Sequence, residues 1–387
     1  MFDDILRSLE ARHLLRSLRP IDSPTGPIIT IGERPILLMA SNDYLGLAAH
    51  PRLKQAAIEA TERFGVGSGA SRLISGTLTP HMELETELAD FKQTESALVF
   101  GSGYLANIGL IPALIDSAGL ILADRLCHAS LIDGCRLSCA EFRVFRHGDM
   151  RQLRGLLSKR PAGQPTLVIT EGIFSMDGDA APLLDIAELT ERHGAQLFID
   201  DAHGTGVMGQ TGRGTLEHFG VASRIPFHMG TFSKAFGTSG AYVVGPSSLI
   251  QYLINRSRPF MYSTAPPPAT AAATTAAIRF LRSESQWLVC LWKNRIYFYD
   301  GFQVMGFRLS PTVSPIMPIL IGDAQKAIAF AERLLELNIY APAVRPPTVP
   351  SKTSRIRTTV TAEHTLEQLD QALAAFQQAG HEQGLLA

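Results

Sequence analysis

The chain has 387 residues, 45% hydrophobic and 18% charged, which is enough apolar material for one large domain with smaller terminal parts. Its 35 Lys+Arg against 36 Asp+Glu give a formal charge of −1 with no basic stripe, which argues against nucleic acid as a partner. No basic segment precedes an apolar run at the N-terminus and no apolar run reaches spanning length, so neither a signal peptide nor a membrane helix is expected. Cys127, Cys135, Cys139 and Cys290 lack metal-type spacing to histidines and read as reduced thiols of a cytoplasmic protein.

Residues 2–19 predict an amphipathic helix, with Ile5, Leu9, Leu14, Leu15 and Leu18 apolar and Pro20 ending it. Residues 24–35 are turn-rich and predict a short hairpin. After Ser41-Asn42-Asp43-Tyr44-Leu45-Gly46-Leu47 comes a helix over 51–64. The glycine-rich stretch 65–77 then lets backbone pass close to a ligand, or is a mobile surface loop. From residue 80 helix and strand alternate. Helices over 80–92, 104–115, 129–137, 149–158 and 182–193 precede strands over 96–100, 120–123, 141–145, 166–171 and 196–200. Further strands flank Lys234. Apolar strands alternating with helices predict an α/β fold with a mainly parallel sheet between helical layers, and functional groups gathered at the strands' carboxyl ends. Helices over 247–257 and 266–282 close this part. A helix over 284–302, strands near 304–321 and helices over 324–337 and 365–379 make a smaller α+β domain. The expected division is 1–45, 46–282 and 283–387.

Two stretches carry the strongest chemical signal. In Thr231-Phe232-Ser233-Lys234-Ala235-Phe236-Gly237 a lysine sits between strand-like runs among apolar residues. Desolvation there would lower its pKa and free the amine to attack a carbonyl; the alternative is an exposed loop lysine. In Asp200-Asp201-Ala202-His203 a carboxylate ends the run Leu197-Phe198-Ile199. Such a carboxylate is costly unless it meets a cation, and a protonated pyridine nitrogen would be one. A turn-capping aspartate bonded to His203 is the alternative, and the spacing fits no common metal set. Weaker signals lie at the same sheet edge. Ser102, Gly103 and Tyr104 open a helix whose N–H groups would suit a phosphate. His128 follows one strand, and Glu171 and Ser175 follow another. Together these residues answer the needs of pyridoxal phosphate.

At these residues the chain resembles the α-oxoamine synthases, fold-type-I pyridoxal phosphate enzymes. The resemblance runs through Ser41–Leu47, Gly67-Ser68-Gly69-Ala70-Ser71-Arg72, Asp200–Gly206 and Thr231–Lys234 to Arg345-Pro346-Pro347-Thr348-Val349-Pro350 and Arg355-Ile356-Arg357. It implies that Lys234 holds the cofactor's aldehyde and acts as base at the substrate's α-carbon. It also implies that Asp200 pairs with the ring nitrogen, His128 stacks on the ring, and His203 and Ser175 lie near the phenolic oxygen. Ser102, Gly103, Tyr104 and Thr231 would surround phosphate and ring. In the homodimer that the family forms, Ser263 and Thr264 would reach the partner's phosphate. Arg357, with Arg355 as the second choice, would bind the amino-acid carboxylate, Thr348 would line the substrate site, and Arg19 would lie near the acyl group. Residues 170–179 and 343–350 resemble the branch that condenses L-alanine with a pimeloyl thioester, carried on coenzyme A or an acyl carrier protein. Members using glycine or serine, and a non-catalytic subunit of the same fold, are the alternatives. Leu73 departs from the histidine common in the family's glycine-rich loop, and the aromatic stretch 287–302 matches no motif.

Overall fold

A computed structural model describes residues 2–386, which divide into two compact units. One comprises residues 50–175 and 180–285, and the other the remaining described residues.

The larger unit is built on a seven-stranded sheet. Its strands are β1 (Ser96–Phe100), β2 (Leu120–Asp124), β3 (Glu141–Phe145), β4 (Thr166–Glu171), β5 (Gln196–Asp200), β6 (His228–Thr231) and β7 (Ala241–Gly245). They lie in the order β1-β7-β6-β5-β4-β2-β3. Only β7 runs against its neighbours; the β2–β3, β2–β4, β4–β5 and β5–β6 pairs are parallel. The expected α/β class and mainly parallel sheet are therefore observed. Alternate residues of one strand enter different cores: Phe198 packs with Leu110, Ile121 and Ile169, whereas Leu197 and Ile199 pack with Leu122, Val168 and Ile186. Helices covering both faces explain why these strands read as continuous apolar runs.

The expected helices recur within a few residues of their predicted ends. The helix Pro51–Phe64 starts on a proline, is capped by His50, which accepts from Arg52 N at 3.2 Å, and stops at Gly65 with φ of 81°. Sequence reading missed two short helices, Thr215–His218 and Arg258–Tyr262.

The glycine-rich stretch is anchored on one side by a buried ion pair. Arg72 donates from both Nη atoms to the two Glu85 oxygens at 2.9 Å each, and from Nε to Thr77 Oγ1 at 2.9 Å. Glu85 Oε1 also accepts from Val99 N at 3.0 Å, tying the loop to β1. On the other side Ser68 Oγ donates to the Pro266 carbonyl at 2.7 Å and Ser71 bridges to Thr264. Arg72→Ala leaves Glu85 buried without its cation. It is expected to lower unfolding stability by about 3–5 kcal/mol, read from urea denaturation; a loss below 1 kcal/mol would show that the pair anchors nothing.

In the smaller unit Ile28–Ile31 and Arg34–Leu38 form the expected hairpin, turning at Gly32 with φ of 61°. The strand Arg34–Leu38 also pairs in parallel with Ile339–Tyr340, and Thr359 N donates to the Met39 carbonyl at 2.9 Å. The N-terminal helix is shorter than expected, spanning Phe2–Ala11. His13 adopts φ of 56°, and Leu14 N donates back to the Leu9 carbonyl at 2.8 Å, a left-handed closure that ends the helix well before Pro20. Between 304 and 321 only Ile316–Gly322 is a regular strand, antiparallel to Ser354–Thr359. The segment before it is irregular because Thr312 and Ser314 hydroxyls donate to the Gly178 carbonyl at 2.9 and 2.8 Å. The aromatic stretch supplies this unit's core. Phe298 and Phe302, on the helix Gln286–Met305, meet at 4.5 Å, and Phe302 meets Phe376 at 5.0 Å.

Candidate active site

The parallel arrangement brings the ends of β1, β2, β4, β5 and β6 to one edge of the sheet, and the residues singled out from the sequence in this unit follow those ends, except Ser263 and Thr264, which follow the helix Arg258–Tyr262. Phe100 ends β1 and leads to Ser102, which caps the helix Gly103–Leu114 by accepting from Leu105 N at 3.2 Å. The next N–H groups of that helix start without carbonyl partners in it, as at any helix N-terminus. The turn lies close to β6: a Cβ placed on Gly103 would come within 2.7 Å of Thr231 Cγ2. Only glycine fits there.

Asp200 ends β5 and is 6% exposed. Its Oδ1 accepts from Ala202 N at 3.0 Å and its Oδ2 from Asn107 Nδ2 at 2.8 Å. The neighbouring Asp201 has a different role. It pairs with Lys92 at 3.7 Å and accepts from the Thr215 hydroxyl at 2.6 Å and the Thr205 hydroxyl at 3.2 Å, so it holds the turn that carries the buried His203. Burial lowers the Lys92 amine to about 8, against the opposing charge of Asp201.

Lys234 follows β6. Phe232, Ala235 and Phe236 are fully buried around it while Lys234 is half-buried, with Nζ 3.5 Å from Thr231 Oγ1. His128 caps the helix Ala129–Leu137 and accepts at Nδ1 from Ser130 N at 3.2 Å. Burial lowers its pKa, the Asp200 charge raises it, and the Lys234 charge lowers it again; the net direction is down. These couplings place His128 within electrostatic range of both. The residue as a whole is exposed, so its inward bond at Nδ1 leaves much of the ring open.

Glu171 ends β4 in register with Asp200, and alternation puts both carboxyls on one face of the sheet. It is 3% exposed and accepts from His128 N at 2.6 Å. Burial first, and the Asp200 charge second, push its pKa well above the ordinary carboxylate range. Ser175 lies beyond it, half-buried. Tyr104 donates its hydroxyl to Asp133 and is 43% exposed. Ser263 is half-buried and Thr264 exposed.

The remaining expected residues belong to the smaller unit. Arg355 is 4% exposed and is bound by structure, donating to Asp177 Oδ1 at 2.5 Å, the Met176 carbonyl at 3.1 Å and the Thr353 carbonyl at 3.0 Å. Arg357 is 8% exposed and donates to Asn42 Oδ1 at 3.0 Å and Tyr44 Oη at 3.3 Å. Thr348 accepts from Arg16 at 3.3 Å. Arg19 is exposed and lies outside the helix expected to carry it.

The sequence reading did not assign Asn107 or Ser130 to the site. Asn107 is a buried amide in an otherwise apolar helix segment, and that mismatch was its signal. Among the described residues no cluster of histidine, cysteine, aspartate and glutamate could hold a metal, and no helix is long and apolar enough to cross a membrane.

The residues of the larger unit fit pyridoxal phosphate. A glycine-tight helix N-terminus, an anchored carboxylate, an imidazole and a lysine are the kinds of group that a phosphate, a ring nitrogen, a ring face and an aldehyde require. The profile of the aminotransferase class I and II family matches residues 34–376. The chain belongs to the aminotransferase class I and II family. Within this family it is a fold-type-I α-oxoamine synthase, an acyltransferase whose cofactor is pyridoxal phosphate. It is 47% identical over 383 residues to the 8-amino-7-oxononanoate synthase of Symbiobacterium thermophilum, covering 98% of this chain and 97% of that one. Among solved structures, the serine palmitoyltransferase of Sphingomonas wittichii matches with a TM-score of 0.96 and 34% identity, over 100% of this chain and 98% of that one. The 8-amino-7-oxononanoate synthase of Francisella tularensis matches with a TM-score of 0.77 and 28% identity, over 90% and 98%.

Proposed function

We propose that this enzyme condenses L-alanine with a pimeloyl thioester to give 8-amino-7-oxononanoate, carbon dioxide and the free thiol carrier, a step of biotin synthesis. The observation that carries the reading is the full-length likeness to relatives of that name at 43–47% identity. We read it as a cytoplasmic homodimer in which Ser263 and Thr264 reach the partner's cofactor phosphate.

When bound, pyridoxal phosphate supplies an aldehyde for the amine of alanine and a protonated ring that accepts the electron pair left at the α-carbon. The chain's residues do the rest. The helix end at Ser102, Gly103 and Tyr104, with Thr231, would hold the phosphate. Asp200, fixed by Asn107 and Ala202, would keep the proton on the ring nitrogen. His128 would pack on the ring face, and His203 and Ser175 would meet the phenolic oxygen. Lys234 would hold the aldehyde and, once its amine is free, would move the proton at the α-carbon. Overall the α-carbon gains a bond to the acyl carbon as the thioester's carbon–sulfur bond breaks and the thiol leaves, the former alanine carboxyl departs as carbon dioxide, and Lys234 would return a proton to the carbon that lost it.

Arg357 binds the alanine carboxylate, Thr348 lines the substrate site, and Arg19 meets the acyl group. Arg355 is already engaged by Asp177. A planar guanidinium makes the two-pronged contact a carboxylate takes, and an ammonium does not. Arg357→Lys is expected to weaken alanine binding by about 2 kcal/mol or more, read by titrating the visible spectrum of the loaded enzyme. Arg355→Lys should lower thermal stability and leave that titration unchanged. The opposite pattern would move the carboxylate site to Arg355.

The higher TM-score to a serine palmitoyltransferase favours a second reading, a synthase using serine and a longer acyl chain. The product mass from alanine with pimeloyl-CoA, run beside serine with palmitoyl-CoA, decides between them. A product only from the serine pair would replace the reading above.

A further inference from the structure

We propose that Asn107 and Ser130 are positioning residues that form a buried hydrogen-bond relay from Asp200 to His128, fixing the His128 hydrogen on Nε2. The relay rests on three contacts. Asn107 Nδ2 donates to Asp200 Oδ2 at 2.8 Å and to Ser130 Oγ at 2.9 Å, and Ser130 Oγ lies 2.7 Å from His128 Nδ1. Asn107 and Ser130 are each 1% exposed, so water does not compete for these bonds.

The direction of each bond follows from donor and acceptor chemistry. A carboxylate only accepts, so the amide must turn its NH2 group towards Asp200. That group carries two hydrogens, and the second goes to Ser130 Oγ. The serine oxygen is thereby an acceptor, and its own hydrogen is left for His128 Nδ1. Ser130 N already donates to the same nitrogen at 3.2 Å. Two donors converge on Nδ1, so it carries the lone pair and Nε2 carries the hydrogen. The cost of this orientation is visible at the far end of the amide: Asn107 Oδ1 is buried and accepts no hydrogen bond among the described residues. An amide free to choose would satisfy that oxygen; here Asp200 and Ser130 together dictate the turn. Burial and the Lys234 charge both disfavour the protonated imidazole, against the pull of Asp200.

The relay gives the two flanks of the cofactor site one support. The carboxylate proposed for the ring nitrogen and the imidazole proposed for the ring face are held by one serine and one asparagine on adjacent helices. His128 is left with a single N–H, on Nε2, and cannot accept a hydrogen bond there. The inference rests on the reading of Asp200 and His128 as cofactor-facing, but its test needs neither cofactor nor turnover.

The test is nitrogen NMR of the full-length protein labelled with 15N-histidine, with the His128 signals assigned by their loss in His128→Gln. In the wild type, at neutral pH and without added cofactor, Nδ1 should resonate as a lone-pair nitrogen and Nε2 as a protonated one. Ser130→Ala should lower the ratio of the Nε2–H to the Nδ1–H form by roughly fivefold to tenfold, the worth of one hydrogen bond. Ser130→Thr, which keeps the hydroxyl, should restore it. Asn107→Ala should lower it less, since the serine hydroxyl remains but is no longer oriented. Thermal melts separate this from general loosening. If Asn107→Ala does not fold, Ser130→Ala, which removes one oxygen, still decides. A wild-type His128 protonated on Nδ1, or a ratio unmoved by Ser130→Ala, overturns the relay while leaving the cofactor assignment intact.

Discussion

Lys234→Ala is expected to bind pyridoxal phosphate through its phosphate and ring contacts but to lose the coloured linkage to the protein. The wild type should be yellow, and borohydride should fix the cofactor covalently to the peptide containing Lys234. The variant should release its cofactor on denaturation after the same treatment. Turnover should fall by at least the 10²–10⁴-fold typical of removing a positioned acid–base group, and by more because the same amine is proposed to hold the aldehyde. The fold should survive. Lys234 is only half-buried, and the apolar contacts of this segment come from Phe232, Ala235 and Phe236, which the substitution leaves in place. Tryptic mass mapping of the reduced protein is the measurement. Covalent cofactor on the variant at wild-type yield would remove Lys234 from its role.

The sheet and its helical cover were legible because both obey a simple periodicity. β2, β4 and β5 are buried on both faces and so read as unbroken apolar runs, and the helices between them carry an apolar stripe. Where local chemistry overrides periodicity, the reading failed. The helix at residues 2–11 keeps its amphipathic pattern beyond its true end, but the left-handed turn at His13 stops it, a conformation that few non-glycine residues adopt and that periodicity does not register. The strands near residue 310 were overdrawn because Thr312 and Ser314 spend their hydroxyls on the Gly178 carbonyl, a partner far away in sequence.

In the site, legibility followed the chain's own punctuation. Asp200, His128 and Lys234 all sit where a strand ends, so a rule about strand ends finds them. Asn107 and Ser130 sit inside helices, where only the mismatch of a polar group in a buried face marks them, and that mismatch appears only once the packing is known. Of the two adjacent aspartates, the strand-end rule picks out Asp200, but the role of Asp201 shows only in the packing, where it faces Lys92 while Asp200 faces Asn107. Arg355 and Arg357 look equivalent in the sequence, and here strand alternation does not separate them, because residues two apart share a face. What separates them is the presence of Asp177 beside the first and of Asn42 and Tyr44 beside the second.

Asp200→Asn is expected to keep the fold, keep cofactor, and slow exchange of the alanine α-proton by about 10²–10³-fold, the range for removing one preorganised electrostatic contact. In the role proposed for it the carboxylate favours the protonated ring nitrogen, and each unit by which its loss lowers the ring's pKa is a tenfold loss of the protonated form once that pKa lies below the working pH. The replacement is isosteric but not neutral in hydrogen bonding. Both oxygens of Asp200 accept, one from Asn107 and one from Ala202. An amide offers one oxygen and one NH2 group, so one of these donors must face a donor. That mismatch costs roughly 1–3 kcal/mol of stability, which a denaturation curve will register separately from the chemistry. The exchange rate, followed by proton NMR of alanine in deuterated water without acyl thioester, isolates the electron-accepting role from acyl binding and decarboxylation. A variant that melts lower but exchanges the α-proton at the wild-type rate would show that Asp200 serves the hydrogen-bond scaffold alone. A variant that exchanges slowly while binding alanine with unchanged affinity would place the loss in the ring's capacity to accept electrons, where an anchored carboxylate at the end of β5 acts.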